Sequence, residues 1–286
     1  MPELPEVETI RRQLDQELKG YSFVGVKTDW NKSFRPSFEK VRAAIIGQKI
    51  KKIGRQAKLL IFSLSDDSSL LFHLKLTGQL LIRNPSDPLD NYTRSVFSLK
   101  LQPPQGETFL DTDRPGSKEL RFADARKFGF VKLVKDKKEM EGLLEGYGPE
   151  PLKDLTLKKF LAILKDSSRP VKIVLLDQTK ISGIGNIYAN DALWLAKVSP
   201  RMASNKITKE LSKKLYDSIL IVLKRGLKYG GASDQWYVQT HGEKGKYQEH
   251  FLVYGRTGDP CDHCGLEIRR IEVGGRGTFF CSSCQK

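Results

Sequence analysis

Apolar residues near the start of the chain recur at intervals of three and four, the spacing of one face of an α-helix. Pro5 suits the first turn of such a helix, where its missing N–H costs nothing, and Gly20 ends the pattern. We therefore predict one amphipathic helix from about Pro5 to Gly20. Its apolar positions are Val7, Ile10, Leu14 and Leu18.

From about residue 22 to residue 134 the pattern changes to short β-type runs separated by turn residues. The predicted strands are 22–27, 58–64, 69–76, 79–82, 96–101, 108–111 and 128–134. Asn84-Pro-Ser-Asp-Pro and Gln102-Pro-Pro-Gln-Gly are typical of loops. Several short strands at close spacing favour an antiparallel β-sandwich.

After Lys135 the periodicity becomes helical. One long helix is predicted to end before Gly230-Gly231, and shorter helices are predicted over 157–165, 171–177 and 187–197. A strand-rich part followed by a helix-rich part predicts an α+β chain with separate domains. The apolar face of the long helix consists of Leu211, Leu215, Ile219, Val222 and Leu223.

Composition adds a charge argument to this picture. The chain has 286 residues, with 49 Lys and Arg against 34 Asp and Glu, a net charge of +15 and a pI of about 9.6. Such an excess predicts a polyanionic partner and favours nucleic acid over an anionic membrane. No apolar run approaches the roughly 18 residues of a membrane span, and the charged N-terminus does not resemble a signal peptide. We therefore expect a cytoplasmic protein with no membrane partner.

The four cysteines form two close pairs near the end of the chain. Cys261 and Cys264 are separated by two residues, as are Cys281 and Cys284, and 16 residues lie between the pairs. Two such pairs joined by a β-hairpin place four thiolates in a tetrahedron, which suits Zn²⁺. Because four thiolates leave no open position, we predict one structural zinc, with His263 as a bystander. No cysteine remains for a disulfide elsewhere, as expected in the cytosol.

The first residues carry candidate chemistry. If Met1 is removed, Pro2 becomes a free secondary amine. An α-amine has a pKa near about 7.8, against about 10.4 for a lysine side chain, so more of it is unprotonated at neutral pH. Amines attack sugar or carbonyl carbons and form Schiff bases, and Glu3 is close enough to exchange protons at the same centre. Acidic residues in the first turn of a helix are also common without any catalytic role.

A glycine-rich turn, Ser182-Gly-Ile-Gly-Asn-Ile-Tyr, lies between two predicted helices. Its free N–H groups and the start of the next helix, at or after Asn186, could bind a phosphate. A tight helix–helix turn explains the glycines equally well. A dinucleotide-binding fold is excluded, because no strand precedes the turn and no third glycine follows it.

The order Pro-Glu-Leu-Pro-Glu-Val-Glu-Thr over residues 2–9 resembles the start of the formamidopyrimidine-DNA glycosylase family, bacterial base-excision enzymes related to endonuclease VIII. The turn at 182–188 and the terminal cysteine ribbon resemble the same family, so the resemblance covers essentially the whole chain. It implies an N-terminal helix plus an antiparallel β-sandwich domain, then a helix–two-turn–helix domain with a C-terminal zinc-ribbon hairpin. We predict a catalytic domain over 1–135, a linker over 136–150, a DNA-binding domain over 151–235, and a lesion loop with the zinc hairpin over 236–286.

The resemblance also implies roles for single residues. Pro2 would be the nucleophile, Glu3 its acid/base partner and Lys58 a catalytic-site lysine beside the phosphate, with Glu6 a second carboxylate in the site. The residues expected to contact DNA are His73, Leu76, Arg126, Phe128, Lys172, Asn186, Arg256 and Arg276. Among them Arg126 would pair with the orphaned base, while Phe128 and Leu76 would fill the gap in the stack. The loop 239–248 would cover the everted base.

The sequence departs from the family pattern at a few positions. Leu76 replaces the usual methionine, and leucine is still an apolar wedge of similar volume. Asp191 replaces the usual glutamate, which puts its structural role in question. Ala125 and Lys127 stand where the family has proline and arginine, and lysine lacks the bidentate fork of arginine.

The implied activity is that of a bifunctional DNA glycosylase and abasic-site lyase. Its substrate would be duplex DNA containing 8-oxoguanine, formamidopyrimidines or abasic sites, and we expect it to act as a monomer. One alternative is an endonuclease VIII-like glycosylase for oxidised pyrimidines, against which Leu4 argues, since that branch often has glycine there. Another is a zinc-ribbon protein that binds damaged DNA without catalysis.

Overall fold

The computed structural model describes residues 1–101 and 116–286. The predicted strand 108–111 and the loop that begins at Gln102 lie outside the described residues. The chain forms two compact units. Unit 1 consists of Met1–Pro2, Glu6–Leu144 and Ala232–Gly245, and unit 2 of Glu3–Pro5, Glu145–Gly231 and Lys246–Lys286.

Most of the strands belong to unit 1. Its helices are α1 (Leu4–Leu18, of which the first two residues count with unit 2), α2 (Phe38–Ile45) and α3 (Lys137–Leu144). Its strands are β1 (Tyr21–Thr28), β2 (Phe34–Arg35), β3 (Ile50–Gln56), β4 (Leu59–Leu64), β5 (Ser69–His73), β6 (Gly78–Arg83), β7 (Thr93–Leu101), β8 (Lys118–Asp124) and β9 (Phe130–Val134).

These strands make two sheets, ordered β1-β7-β8-β6 and β2-β9-β5-β4-β3. All pairings are antiparallel except the short β2–β9 pair, which is parallel. Side chains of both sheets meet in one core, where the rings of Phe72 and Phe97 lie 5.4 Å apart, edge to face. The apolar face of α1 joins this core through Ile10, Leu14 and Leu18. The predicted sandwich with its N-terminal helix is therefore confirmed.

Unit 2 is helical apart from one hairpin. Its elements are α4 (Leu157–Lys165), α5 (Val171–Leu176), α6 (Asn186–Leu195), α7 (Lys209–Lys228), β10 (Arg269–Val273) and β11 (Arg276–Phe280). Thr156 and Thr208 cap α4 and α7, because each hydroxyl accepts the N–H of the residue three positions later. In the described part of the chain, no helix has the length and apolarity to cross a membrane.

Five of these elements escaped the sequence analysis. Helix α3 lies where we predicted a linker. It is only eight residues long and lies in a run of mixed charge, and none of its residues is buried. Strand β8 has five consecutive buried residues, so the alternation that marks a half-buried strand is absent. Helix α2 and strands β2 and β3 were also missed. Strand β4 begins at Leu59, one residue later than predicted, because Lys58 belongs to the turn before it.

Candidate nucleic-acid interface and metal centre

In unit 1, Lys58 occupies the two-residue turn between β3 and β4. The preceding residue, Ala57, has a positive φ of 53°, and its carbonyl accepts a 2.7 Å hydrogen bond from the Arg55 guanidinium. Only 5% of Lys58 is exposed. An ordinary surface lysine would be mostly exposed, so this burial marks Lys58 as a residue with a defined environment.

His73, at the end of β5, lies in a cationic environment formed by Lys58, Lys75 and Arg35. Burial first, and then these three charges, lower its pKa to about 3, so the imidazole is neutral at physiological pH. Its Nδ1 accepts the N–H of Lys75 at 3.0 Å, which leaves Nε2 as the protonated donor. A neutral N–H among lysines and an arginine suits a phosphate oxygen.

The loop after β8 carries Arg126 and Phe128, and Asp124 organises its backbone. The fully buried Asp124 carboxylate accepts the N–H of Arg126 at 3.1 Å, of Phe128 at 3.0 Å and of Gly129 at 2.8 Å. The side chains themselves point outward, since Phe128 is 52% exposed and the Arg126 guanidinium carbon lies 4.9 Å from its ring centroid. The sequence motif contained Asp124, but its organising role was not predicted.

Leu76 lies on the turn between β5 and β6, which is linked to the same loop through its neighbour Thr77. The Thr77 hydroxyl donates to Asp124 and accepts the N–H of Arg126 at 3.0 Å. Two backbone segments that carry the predicted gap-filling residues Leu76, Arg126 and Phe128 are therefore tied together by one threonine and one aspartate.

At the chain start, Pro2 is buried whereas Met1 is half exposed. Glu6, also in unit 1, is buried, and its Oε1 accepts the N–H of Ala232 at 2.8 Å. The structure thus uses the Glu6 carboxylate to hold a distant part of the chain.

Glu3, in unit 2, binds the beginning of α6. Its carboxylate accepts the N–H of Ile187 at 2.9 Å and of Tyr188 at 3.5 Å, and it is 2% exposed. The positive end of the helix dipole stabilises a carboxylate there. A β-carbon at Gly185 would lie only 2.2 Å from Glu3 Cδ, so that glycine makes room for the carboxylate. Two of the N–H groups that we considered for a phosphate, those of Ile187 and Tyr188, are thus occupied by Glu3.

The hairpin of β10 and β11 turns at Gly274-Gly275, both with positive φ, as a tight two-residue turn requires. A β-carbon at Gly274 would lie 2.2 Å from Cδ1 of Ile173, so the tip packs closely on α5. Arg276 follows this turn directly and is exposed. The hairpin therefore presents Arg276 at a tip with a defined position on the helices of unit 2.

Lys172 is fully buried in this structure. Its Nζ donates to the Gly277 carbonyl at 2.9 Å and to the Thr278 hydroxyl at 2.7 Å. Burial lowers its pKa to about 7, which the Glu3 charge opposes and the Arg276 charge reinforces. The side chain expected to hold a DNA phosphate thus holds the backbone of β11.

Asn186 and Asn190, one helical turn apart on α6, bind the same strand. Asn186 Nδ2 donates to the Gly277 carbonyl at 3.1 Å, and Asn190 Oδ1 accepts the N–H of Phe279 at 2.9 Å. Helices α5 and α6 therefore dock β11 through three polar side chains. Asn190 was not predicted, although its i+4 spacing from Asn186 is visible in the sequence.

Arg256 is engaged within the zinc-binding part of unit 2. Its guanidinium makes a bidentate pair with Asp262, at 2.9 Å for both bonds, and donates to the carbonyls of Leu252 at 2.9 Å and Pro260 at 3.0 Å. Each guanidinium nitrogen already has an acceptor, because Nε lies 3.4 Å from Asp259. We expected Arg256 to hold DNA. In this structure its guanidinium binds the segment on both sides of Cys261.

The four cysteines converge as predicted, with their sulfur atoms all within 4.8 Å of one another. The Cys261–Cys284 and Cys264–Cys281 distances are 3.9 and 3.4 Å. Zn–S bonds of about 2.3 Å in a tetrahedron separate sulfur atoms by roughly 3.8 Å, so the geometry fits one zinc. When bound, the metal cross-links the two ends of the hairpin and has no open position for chemistry.

Two residues around the cysteines were not predicted. Trp194 Nε1 lies 3.3 Å from Cys261 Sγ as a donor. Gln285 accepts the N–H of Cys281 at 2.9 Å and donates to the Val198 carbonyl at 2.9 Å. Such partners orient metal ligands. His263 Nδ1 is 3.5 Å from Cys284 Sγ, outside the four-thiolate set.

Asp191 has a defined structural role despite being shorter than glutamate. Its buried carboxylate accepts the Tyr247 hydroxyl at 3.0 Å and the N–H groups of Val253 at 3.1 Å and Tyr254 at 3.2 Å. Burial raises its pKa, and these bonds oppose that effect. Asp191 therefore fixes the segment that leads into the zinc ribbon.

Comparisons with known proteins agree along the whole chain. Three family models match it: the formamidopyrimidine-DNA glycosylase N-terminal domain over residues 1–131, the formamidopyrimidine-DNA glycosylase H2TH domain over 147–237, and a zinc finger found in FPG and IleRS over 258–286. A formamidopyrimidine-DNA glycosylase of Chloroflexus aurantiacus is 41% identical over 287 residues, covering 100% of this chain and 98% of the relative.

Solved structures are similar over the same extent. A complex between the Lactococcus lactis Fpg and DNA containing an abasic site has a TM-score of 0.88 at 34% identity, covering 99% of both chains. A structure of MutM with DNA containing carbocyclic 8-oxo-G has a TM-score of 0.86 at 33% identity, covering 100% of both.

Proposed function

Because the chain belongs to the formamidopyrimidine-DNA glycosylase family, we propose that it excises oxidised purines from duplex DNA and then cleaves the strand at the resulting abasic site. Its relatives carry the name of that activity, and the similar structures hold DNA with an abasic site or with 8-oxo-G. The net charge of +15 and the exposed Arg126 and Arg276 support a polyanionic partner.

The proposed chemistry begins at Pro2 after Met1 is removed. The unprotonated proline nitrogen attacks the sugar C1′, and the bond between C1′ and the base breaks, with the base leaving as it takes up a proton. Ring opening gives a Schiff base, which makes the adjacent sugar proton acidic. Loss of that proton expels one phosphate by β-elimination, and a further loss expels the second by δ-elimination.

The observation that carries this proposal is the placement of Glu3, which follows the nucleophile directly in the chain. Its carboxylate is buried and held by two N–H groups at the start of α6. Such donors stabilise the ionised form, which is the form that accepts a proton. We propose that Glu3 shuttles protons during base loss and elimination.

We propose that the remaining residues divide into three tasks. Lys58 and the neutral His73 would bind a phosphate near the damaged nucleotide, and Arg276 would bind a phosphate from the hairpin tip. Arg126, Phe128 and Leu76 would occupy the space left by the extruded nucleotide, which offsets a few kcal/mol of lost stacking and pairing. Lys172 and Asn186 would act mainly by holding strand β11 of the hairpin, and Arg256 by holding the segment around Cys261. Any contact of these three residues with DNA would come in addition.

The direct test is covalent trapping. Wild-type protein incubated with an 8-oxoguanine duplex and borohydride should give a stable protein–DNA adduct, because borohydride reduces the Schiff base. Pro2→Gly should give much less, and Glu3→Gln should bind the duplex but react slowly. If the wild-type protein gives no adduct, the catalytic assignment fails and a damage-binding protein without catalysis remains.

An endonuclease VIII-like preference is tested by a second duplex. Leu4 is fully buried, and its N–H donates to the Gly183 carbonyl at 3.0 Å, so it is an integral part of the turn before α6. We expect faster cleavage of 8-oxoguanine than of thymine glycol. The opposite order would assign the chain to oxidised pyrimidines.

We further propose that the protein works in the bacterial cytoplasm, where its DNA would be found. The named relatives come from bacteria, including Lactococcus lactis and Bacillus licheniformis. The domain bounds at 135, 150 and 235 remain our prediction.

A further inference from the structure

Residues Ala232–Gly245 of unit 1, here called the strap, lie along helix α1. The strap begins at Ala232, whose N–H is bound by Glu6, and Tyr237 near its middle is buried in the core of unit 1. Its two ends are also joined, since the Gly245 N–H donates to the Ser233 hydroxyl at 2.8 Å. Residues 239–245 of the strap belong to the loop 239–248 that the family resemblance placed over the everted base.

Gln13 makes three hydrogen bonds to the strap. Its Oε1 accepts both the N–H and the hydroxyl of Thr240, each at 3.1 Å, and its Nε2 donates to Gln239 Oε1 at 2.6 Å. On its other side, the Thr240 carbonyl accepts the N–H of Ile82 in β6 at 2.8 Å. Thr240 is fully buried between these partners.

Glu17, one helical turn beyond Gln13, binds the far part of the strap. Its carboxylate lies 2.6 Å from His241 Nε2 and 3.1 Å from Lys118 Nζ. Burial opposes ionisation of Glu17, but these two partners keep its pKa below the usual value. Glu6, Gln13 and Glu17 are spaced by seven and four residues, so one face of α1 carries all three anchors.

The strap has two exposed stretches, its apex at 234–236 and the turn at 241–244. Asp234, Gln235 and Trp236 are the exposed residues between Ser233 and Tyr237, and Trp236 is 38% exposed. The Trp236 ring stands edge to face with Tyr92 at 5.8 Å, and its carbonyl accepts Gln79 Nε2 at 2.5 Å.

Beside this aromatic pair is a cleft of about 320 Å³, which Thr77 and Asp124 also line. Its volume is within the roughly 300–1,000 Å³ of small-molecule sites. Two aromatic walls and amide or hydroxyl groups at the edge suit a planar, hydrogen-bonding ring such as a nucleobase.

We infer that Gln13 is a positioning residue, which holds the strap so that its Trp236 apex receives the base of a nucleotide that has left the stack. This inference rests on the proposed function, since it concerns the base that the enzyme removes. Gln13 touches neither the base nor the sugar. Replacement of Gln13 should loosen Thr240 and therefore slow base excision. Strand cleavage at an abasic site, where only the sugar reacts, should be largely unaffected.

The experiment compares two duplexes that differ only in the presence of a base. In single-turnover reactions, Gln13→Leu should slow 8-oxoguanine excision about tenfold, since several hydrogen bonds to the strap are lost. Cleavage of a preformed abasic site should stay within about twofold of the wild type. Gln16→Leu, which changes an exposed glutamine on the same helix, should affect neither rate.

Gln13→Glu separates positioning from a general loss of structure. It keeps the acceptor for Thr240 and loses the donor to Gln239, so it should recover part of the excision rate. Hydrogen exchange at the Thr240 amide should be about tenfold faster in Gln13→Leu than in Gln16→Leu.

Each other result has a defined meaning. Equal slowing on both duplexes, or no difference between the Gln13 and Gln16 variants, would overturn the inference. If the wild-type protein cleaved neither duplex, the proposed function would fail. The anchoring of the strap by Gln13 would still be tested by hydrogen exchange, and an unchanged exchange rate at the Thr240 amide would reject it.

Discussion

Two segments, the loop after β8 in unit 1 and the hairpin with its supporting helices in unit 2, place their predicted DNA-contacting side chains in opposite ways. In unit 1, the buried Asp124 binds the backbone of a loop, and the side chains of Arg126 and Phe128 remain exposed. In unit 2, the predicted DNA-binding residues Lys172 and Asn186 bind the Gly277 carbonyl themselves. Arg276, which directly precedes Gly277 in β11, is exposed.

The difference separates two kinds of residue within the predicted functional motifs. Some expose their side chain, and others hold the backbone from which such a side chain extends. Burial and hydrogen bonding separate the two kinds, whereas a sequence motif mixes them. Each of the following experiments removes one holding or one presenting residue.

The largest effect is expected at the metal, since zinc holds both ends of the hairpin. Cys281→Ser should abolish zinc binding and unfold β10 and β11, because binding supplies on the order of 10 kcal/mol to such a small element. Affinity for duplex DNA should fall at least about tenfold, since Arg276 loses its position. Metal analysis and titration with a labelled duplex measure both effects. Ser282→Ala, an exposed change between the knuckle cysteines, should leave both unchanged.

Removal of the buried ammonium should have the next largest effect. Lys172→Met leaves the Gly277 carbonyl and Thr278 hydroxyl without this donor, at a cost of about 1–3 kcal/mol, and should weaken DNA binding by roughly tenfold or more. Lys165→Met, on the exposed surface of α4, is the matched control. Equal affinities of the two variants would contradict the holding role.

The lowered pKa of Lys172 also predicts a dependence of stability on pH. The folded value is about 7 and the ordinary value 10.5, so between these limits the unfolded chain binds more protons. The Lys172 contribution to the free energy of unfolding therefore rises with pH from about 7 to 10.5. Denaturant titrations of the wild type and of Lys172→Met at pH 7 and pH 9 measure the free energy of unfolding. Its Lys172-dependent increase with pH should be present in the wild type and absent from the variant.

In unit 1, Asp124→Asn should have an intermediate effect. The amide keeps one acceptor oxygen but loses the charge and the second oxygen, so the loop with Arg126 and Phe128 should loosen. We expect about 1–3 kcal/mol less stability and roughly tenfold slower excision of 8-oxoguanine. Circular-dichroism melts and single-turnover assays test this. Asp67→Asn changes a side chain that is 91% exposed and should alter neither quantity.

The smallest effect concerns His73. Its pKa of about 3, against the ordinary 6.5, means that the folded protein keeps this imidazole neutral while the unfolded chain protonates below 6.5. The His73 contribution to stability is therefore present above pH 6.5 and is lost as the pH falls toward 3. The His73 ring resonances in NMR spectra should not shift between pH 8 and pH 5. A titration near pH 6.5 would show that the cationic surroundings are weaker than the structure indicates.

The sequence predicted the architecture where its patterns were strong. Helix α4 was predicted with its observed bounds, because Thr156 caps an amphipathic run. The cysteine spacing predicted a metal site that the sulfur positions fit. Helix α3 was missed because it is short and lies in a run of mixed charge, and strand β8 because its five consecutive buried residues do not alternate.

At the candidate site, the sequence indicated which residues matter better than what each one touches. The burial of Lys172 and the bidentate pairing of Arg256 with Asp262 depend on how distant segments fold together, which spacing alone does not reveal. Asn190, Gln285 and Gln13 were missed for the same reason. Their partners lie 89, 87 and 227 residues away in the chain.

Gly185 carries no functional group, yet the space above its Cα is occupied by the Glu3 carboxylate. In a complete mutational scan scored by repair activity, every replacement of this glycine would displace the Glu3 carboxylate. Substitutions at Gly185 would then be tolerated as poorly as those at a residue that takes part in the reaction. Such a map would mark it as part of the chemistry, although what it contributes there is the absence of a side chain beside Glu3.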